Sequence, residues 1–348
     1  MGRFAAMLLN DRIALLAALG DSIQSDLNSN RLENVLGRAY SRNAWFVEKY
    51  SKLALQNVAQ YYLNAEALTE WLSAYTLDDH ASDKRVGLIP AGNIPLVGIH
   101  DLISIFASGN TALIKPSSKD EVLTKYVIEA LYELEPRARE HVILSERLTD
   151  FDAVIATGSN NTHRYFEHYF GKYPNVLRRN RTSVAVLDEN TSAEDIRLLG
   201  EDVFTFFGLG CRSVSKVFVP KGFAIERMLK EWDEFSWLGD HNKFHNNYMY
   251  HKSVYLVNKV SHFDTGFALV SESDELFSPI GAIYYEEYDG KDELNSKLTG
   301  LGENVQVVVS GPKMSVKGSC GYGMAQSPTL NDYADNIDTI NFLASLRR

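Results

Sequence analysis

Apolar positions in the first 80 residues recur at intervals of three and four. In MGRFAAMLLNDRIALLAALGD, Phe4, Leu8, Leu9, Ile13, Leu16 and Leu19 mark one face of an amphipathic helix, and Asn10, Asp11 and Arg12 interrupt any signal-peptide-like apolar run. The same period continues through RLENVLGRAYSRNAWFVEKYSKLALQNVAQYYL and NAEALTEWLSAY, which predicts a helical entry layer. Beyond it the texture changes to short apolar runs alternating with helical patterns. RVGLIPA reads as a strand, PLVGIHDLISIFASG as a helix opened by Pro95, TALIK as a strand and KDEVLTKYVIEALYEL as a helix; HVILSE and FDAVIAT read as strands and SNNTHRYFEHYF as a helix.

A second series follows: RTSVAVLDE as a strand, SAEDIRLLGEDVFTFFG as a helix, SVSKVFVP as a strand and FAIERMLKEWDEFSWL as a helix. Strand-like SVYLVN, GFALVSE, IGAIYYE and VQVVVS complete it. Strand–helix alternation at this spacing predicts an α/β protein with two doubly wound domains behind a helical N-terminal layer. The expected division is 1–182 for the helical entry with a nucleotide-type domain, 183–322 for a second domain carrying Cys211, and 323–348 for a returning C-terminal segment.

Composition narrows the function classes. At 348 residues the chain has room for two hydrophobic cores, and its formal net charge of -10 argues against a nucleic-acid surface, which needs a basic balance. The two cysteines, Cys211 and Cys320, form neither a metal cluster nor a disulfide framework, which fits a reducing, cytoplasmic setting. No run of about 18 apolar residues suggests a membrane span. His241, His245 and His251 lack a matching acid or cysteine motif, so no metal is expected.

Five short stretches carry candidate chemistry. In VGLIPAGNIPLVG, Gly92 frees the backbone and Asn93 offers a carboxamide that could serve turn geometry or donate to an oxyanion. In TALIKPSSKDE, Lys115 ends a strand where open α/β sheets bind ligands; a solvated lysine is the alternative. In VIATGSNNTHRYFE, Gly158 and Ser159 lead into a helix whose first amides face outward, or Ser159 is a plain N-cap. Cys211, in FGLGCRSVSK, is a nucleophile or a small core side chain, with Cys320 in GSCGYG as its rival. In ESDELFSPIG, Glu275 and Phe277 could hold a ribose and cover a ring.

Taken in order, these stretches resemble the aldehyde dehydrogenase superfamily: Asn93-x-Pro95, Lys115-Pro116, Gly158-Ser159, Cys211, and Glu275-Leu-Phe277-Ser-Pro with Ser278 in the usual glycine's place. The C-terminal GYGMAQSPTLNDYADNIDTINFL also resembles that superfamily's return segment, which implies a homodimer contact. Within it, residues 86–120 most resemble acyl-CoA reductases of the bioluminescence fatty acid reductase type. The resemblance implies Cys211 as nucleophile, Asn93 as oxyanion donor, and a cofactor held by Lys115, Ser118, Gly158, Ser159, Glu275 and Phe277. Where hydrolytic members carry a base glutamate, Leu177-Arg178-Arg179-Asn180-Arg181 places Arg178, which cannot deprotonate water. Where NAD-preferring members carry a ribose-binding glutamate stands Ser118, which favours NADPH, with NADH as the alternative.

The expected reaction is NADPH-dependent reduction of a fatty acyl-CoA to the aldehyde through a thioacyl-cysteine. Three alternatives stay open: an acyl-phosphate reductase; a hydrolytic dehydrogenase using another base, such as Glu286 or Glu287; and a non-catalytic nucleotide-binding module. Arg212 and the arginines at 178–181 could lower the thiol's pKa if they are close in space, meet cofactor or CoA phosphates, or simply form a solvated basic cluster.

Overall fold

A computed structural model describes residues 7–80, 82–314, 316 and 318–346, so Phe4 lies outside the described residues. The chain divides into two compact units, Met1–Asn180 with Pro328–Arg348, and Arg181–Ser327.

The first unit begins with the helical layer: α1 (Leu9–Leu27), α2 (Glu33–Arg42), α3 (Glu48–Asn57) and α4 (Ala65–Ser73). The expected interruption of α1 by polar residues has a packing role. Arg12 is buried and donates from Nε to the Ala107 carbonyl (3.1 Å) and from Nη1 to that of Met7 (2.6 Å), which satisfies a charge carried into the core. Between α2 and α3 the continuous helical period breaks at Asn43, whose backbone is extended and whose side chain accepts from the Trp45 amide.

Then come β1 (Arg85–Ile89), α5 (Ile99–Ala107), β2 (Thr111–Ile114), α6 (Glu121–Leu134), β3 (Val142–Leu144), β4 (Ala153–Thr157), α7 (Asn160–Phe170) and β5 (Asn175–Arg178). Their five strands are all parallel, in the order β3-β2-β1-β4-β5. Val86, Leu88 and Ala153 to Ala156 are fully buried, as expected of strands covered on both faces. α5 starts at Ile99, not at Pro95, because Leu96 takes a left-handed φ of 60° that no helix turn accepts. β5 was not anticipated: NVLR is short and half polar. Helix α12 (Thr339–Ser345), from the C-terminal part of this unit, packs on α5.

The second unit contains β6 (Thr182–Val186), α8 (Ala193–Phe204), β7 (Val214–Pro220), α9 (Glu226–Glu231), α10 (Asn242–Val257), β8 (Phe263–Asp264), β9 (Leu269–Glu272), β10 (Ala282–Tyr288), α11 (Lys291–Leu301) and β11 (Val305–Ser310). The strand order is β11-β6-β7-β10-β9-β8, parallel throughout except for the β8–β9 pair. SVYLVN is not a strand but the end of α10. Tyr248 and Tyr255, two helical turns apart, face Leu269 and Ala282, while Leu256 and Val257 point to solvent. A short β-branched and aromatic run does not distinguish the two periods. The expected single helix over FAIERMLKEWDEFSWL is α9 followed by a 3-10 segment, Asp233–Asp240.

Candidate active site

In the first unit, strand order reverses at β1, whose neighbours are β2 and β4. Their parallel carboxyl ends therefore lie together, at the place where open α/β sheets bind ligands. The chain leaves β1 toward Asn93, β2 toward Lys115 and Ser118, and β4 toward Gly158 and Ser159. Asn93, Lys115, Ser118 and Ser159 are exposed.

The Asn93 loop is tightly held. A Cβ at Gly92 would lie 2.3 Å from Ser117 Oγ, and one at Gly98 would lie 2.4 Å from Pro90 Cβ, so both positions require glycine for close packing. The amide of left-handed Leu96 donates to Asp120 Oδ2 at 2.7 Å. Asp120 is buried, and burial pushes its pKa up to about 8 against the pull of the Leu96 amide and the Thr124 hydroxyl. Sequence reasoning missed this residue. Asp120 occupies the N-cap position of α6 yet makes no capping bond; its carboxylate serves the Asn93 loop instead.

Ser159 caps α7, with Oγ accepting from the Thr162 amide at 3.3 Å. Arg178 closes β5 and is buried. It forms two bonds to the Asp101 carboxylate, one of 2.9 Å from Nη2, and a further bond of 3.0 Å to Thr339 Oγ1. The expectation that Arg178 belongs to a basic cluster for phosphates or for the thiol is thus corrected: its charge is neutralised inside the first unit, tying β5 to α5 and α12.

In the second unit, just beyond α8, Phe206, Phe207 and Gly208 are three consecutive left-handed residues, with φ of 54°, 58° and 71°. Two of these are not glycine, a costly arrangement of the kind retained where a loop must be aimed. The chain then turns through Gly210 to Ser213, with the Ser213 amide on the Gly210 carbonyl and the Gly210 amide on Ser213 Oγ. Half-buried Cys211 sits on this turn, and its carbonyl accepts from Ser183 Oγ at 3.0 Å. A small cavity of about 50 Å³ with a mixed polar and apolar lining flanks the turn, lined by Phe207, Gly208, Ser215, Phe244, Ser278 and Pro279 among others. Cys320, also half-buried, bonds through its backbone to β11.

The loop after β9 is tethered along the start of β7. Ser215 Oγ donates to the Leu276 carbonyl (2.8 Å) and buried Lys216 Nζ to that of Asp274 (2.9 Å), while the alternate side chains Glu275 and Phe277 remain exposed. Lys216 also pairs with Glu286, which pairs with Lys297; burial pushes the Glu286 carboxyl up, but the two lysines outweigh it and hold it below its ordinary range. Glu287 accepts from the Gly222 amide at 3.1 Å. Glu286 is therefore a weak base, committed to two ion pairs. Among the described residues no group of three or more His, Cys, Asp and Glu could hold a metal ion. His241 instead caps α10, its Nδ1 accepting from the Phe244 amide, and its ring lies 4.3 Å from that of Phe207.

Residues 84–233 match the family model for acyl-CoA reductase (LuxC). This stretch is less than half of the chain and bears out the resemblance seen in the sequence. The fold is that of aldehyde dehydrogenases. Aldehyde dehydrogenase 21 from Physcomitrella patens superposes with a TM-score of 0.68 at 12% identity, covering 99% of this chain and 85% of that one. A propionaldehyde dehydrogenase from the fucose utilisation bacterial microcompartment of Clostridium phytofermentans gives 0.62 at 11%, covering 91% and 81%. The NAD+ complex of an aldehyde dehydrogenase from Bacillus cereus gives 0.61 at 15%, covering 89% and 73%. At these identities the likeness carries the fold. No curated protein sequence matches the chain. Together the family match and the fold support an acyl-reducing oxidoreductase of the aldehyde dehydrogenase type. Among the described residues no helix is long and apolar enough to cross a membrane.

Proposed function

We propose that the protein reduces an acyl-CoA thioester to the aldehyde with NADPH, through an acyl group carried on Cys211. The observation that carries this reading is the acyl-CoA reductase match over residues 84–233, which include both Asn93 and Cys211.

The residues present fit a dinucleotide. Lys115 and Ser118 follow β2 and Ser159 opens the eleven-residue α7, all on the carboxyl side of a parallel sheet at its reversal point. The nearby carboxylates are committed elsewhere, Asp120 to Leu96 and Glu121 to Lys125, so exposed Lys115, Ser118 and Lys119 offer no anion to repel a 2′-phosphate. When bound, the cofactor would supply hydride to the acyl carbon. Lys115, Ser118, Gly158 and Ser159 would bind and orient it, and Glu275 and Phe277 are assigned the ribose and ring contacts by resemblance.

The chain's own chemistry begins with the Cys211 thiolate adding to the thioester carbonyl. By resemblance, the Asn93 carboxamide and the Cys211 amide are assigned to the oxyanion, and the sulfur–carbonyl bond to coenzyme A then breaks, the coenzyme A thiolate leaving. The small cavity beside the turn, with Phe207, Phe244 and Pro279 in its lining, would receive the first carbons of the acyl chain. A thioacyl-cysteine persists long enough to be reduced only if water is not activated against it. That condition is supported by Arg178 being locked to Asp101 and Glu286 being held between two lysines. The test is NADPH oxidation with an acyl-CoA series and, separately, an acyl phosphate. Acyl-CoA-dependent oxidation that falls about a hundredfold in Asn93→Ala is expected. Turnover with acyl phosphate alone, or aldehyde oxidation without coenzyme A, would overturn the assignment.

A further inference from the structure

Besides the Ser183 bond to the Cys211 carbonyl, the turn bearing Cys211 is held by the segment from Gly323 to Gln326, and that segment is bonded to the side chain of Asp202. Asp202 on α8 is fully buried, and its two carboxylate oxygens accept from the amides of Gly323 (2.7 Å, Oδ2) and Ala325 (2.8 Å, Oδ1). The Ala325 carbonyl in turn accepts from Nε of Arg212, the residue after the thiol. The next residue, Gln326, donates from Nε2 to Ser213 Oγ at 3.3 Å and to the Asp202 carbonyl at 3.4 Å. Ser213 Oγ is the same atom that receives the Gly210 amide at the other end of the turn. Both flanks of Cys211 are thus fixed to a strap whose conformation depends on two amide bonds to one carboxylate, all within the second unit.

We propose that Asp202 is a positioning residue for Cys211: through Gly323, Ala325 and Gln326 it sets the conformation of the Gly210 to Ser213 turn on which the thiol rides. The inference rests on Cys211 being the nucleophile. A buried carboxylate with an amide on each oxygen is a site where both acceptors must be kept, because protonation or amidation of one oxygen turns an acceptor against a donor. The charged groups facing Asp202 are Glu201 from its own helix and Arg212 from the turn. Burial pushes its pKa up to about 7 against the two amides, with Glu201 adding to the rise and Arg212 opposing it. The strap therefore loosens as pH falls through neutrality.

The test compares the wild type with Asp202→Asn, which keeps one acceptor and presents an NH2 to the other amide. Two rates are read at Cys211 by peptide mass: alkylation by iodoacetamide, and acyl transfer from saturating acyl-CoA in a single turnover. Acyl transfer in Asp202→Asn should fall about tenfold to a hundredfold, with the acyl-CoA concentration dependence unchanged, because a misplaced nucleophile loses rate more than binding. Alkylation, which needs access but no alignment, should rise. In the wild type, acyl transfer should fall more steeply below pH 7 than one thiol ionisation allows, and the extra steepness should be absent in the variant. If Asp202→Asn fails to fold, Gln326→Leu removes the links to Ser213 and to the Asp202 carbonyl while leaving both carboxylate bonds, and should show the same split. Unchanged alkylation and acyl-transfer rates overturn the strap. A wild-type protein that takes no acyl group on Cys211, whatever the alkylation rates, overturns the nucleophile reading instead.

Discussion

Replacing Asp101 by asparagine removes one charge from a buried pair and leaves the guanidinium of Arg178 in place. The side chains of Arg178 and Asp101 are only 3% and 6% exposed, so solvent screens the pair little. Opposite unit charges about 4 Å apart attract by roughly 4 kcal/mol at an effective dielectric of about 20. Removing one partner of a buried pair costs about 3–5 kcal/mol, because the remaining charge has lost its compensation. Asparagine retains a carbonyl acceptor and Thr339 Oγ1 stays bonded, which places Asp101→Asn near the lower end, at about 3 kcal/mol. Urea unfolding read by near-UV circular dichroism measures this directly. At about 2–4 °C per kcal/mol, the corresponding melting shift is roughly 6–12 °C downward. A double replacement, Asp101→Leu with Arg178→Met, removes both charges and should return to within about 1 kcal/mol of the wild type. A loss below about 1 kcal/mol in Asp101→Asn would refute the view of Arg178 as an internally committed cation. The same reasoning predicts that Arg178→Glu restores no hydrolytic base: it places a second carboxylate against Asp101 and should destabilise more than Asp101→Asn.

Asp120 gives a pH signature. Its folded pKa is raised to about 8 from 3.8, so between these values the native state keeps a proton that the unfolded chain has lost, and stability falls as pH rises from about 4 to 8. Asp120→Asn should flatten that slope in urea midpoints measured across the range; an unchanged slope would place the titration elsewhere. Gly92→Ala brings a methyl 2.3 Å from Ser117 Oγ and must shift the Asn93 loop, so acyl-CoA-dependent NADPH oxidation should drop about tenfold while Cys211 alkylation is unaffected. Glu286→Gln deprives buried Lys216 of its charge partner and should cost the second unit about 3 kcal/mol in urea unfolding without changing the rate at which acyl-enzyme is hydrolysed.

Much of this architecture was legible from periodicity because, the short β8 apart, the strands of both sheets run parallel and most are buried, so they read as short apolar runs between helical patterns. The reading failed where local sequence and tertiary role diverge. SVYLVN carries β-branched and aromatic residues but follows the helical face set by Tyr248 and Tyr255. The start of α5 was displaced because Pro95 was read as a helix opener, whereas Asp120, distant in sequence, holds Leu96 in a left-handed turn. The residues around the candidate site were harder still. Asn93, Lys115, Ser159 and Cys211 stand next to glycine or at strand ends and can be picked out from neighbours alone. Asp101, Asp120, Asp202 and Gln326 act across 24 to 124 positions of chain, and a buried aspartate on an amphipathic helix has no signature until its partner is known. Arg178 was visible as a departure from the base glutamate, but its partner Asp101 was not.

The central claim is that Cys211 carries the acyl group, and the direct measurement is peptide mass after incubation with acyl-CoA in the absence of NADPH, for the wild type, Cys211→Ala and Cys320→Ala. The account predicts one acyl group on the peptide containing Cys211, present in the wild type and in Cys320→Ala and absent in Cys211→Ala. It also predicts discharge of that adduct as aldehyde when NADPH is added. An adduct that persists in Cys211→Ala and vanishes in Cys320→Ala would contradict it, as would aldehyde formation by Cys211→Ala at the wild-type rate.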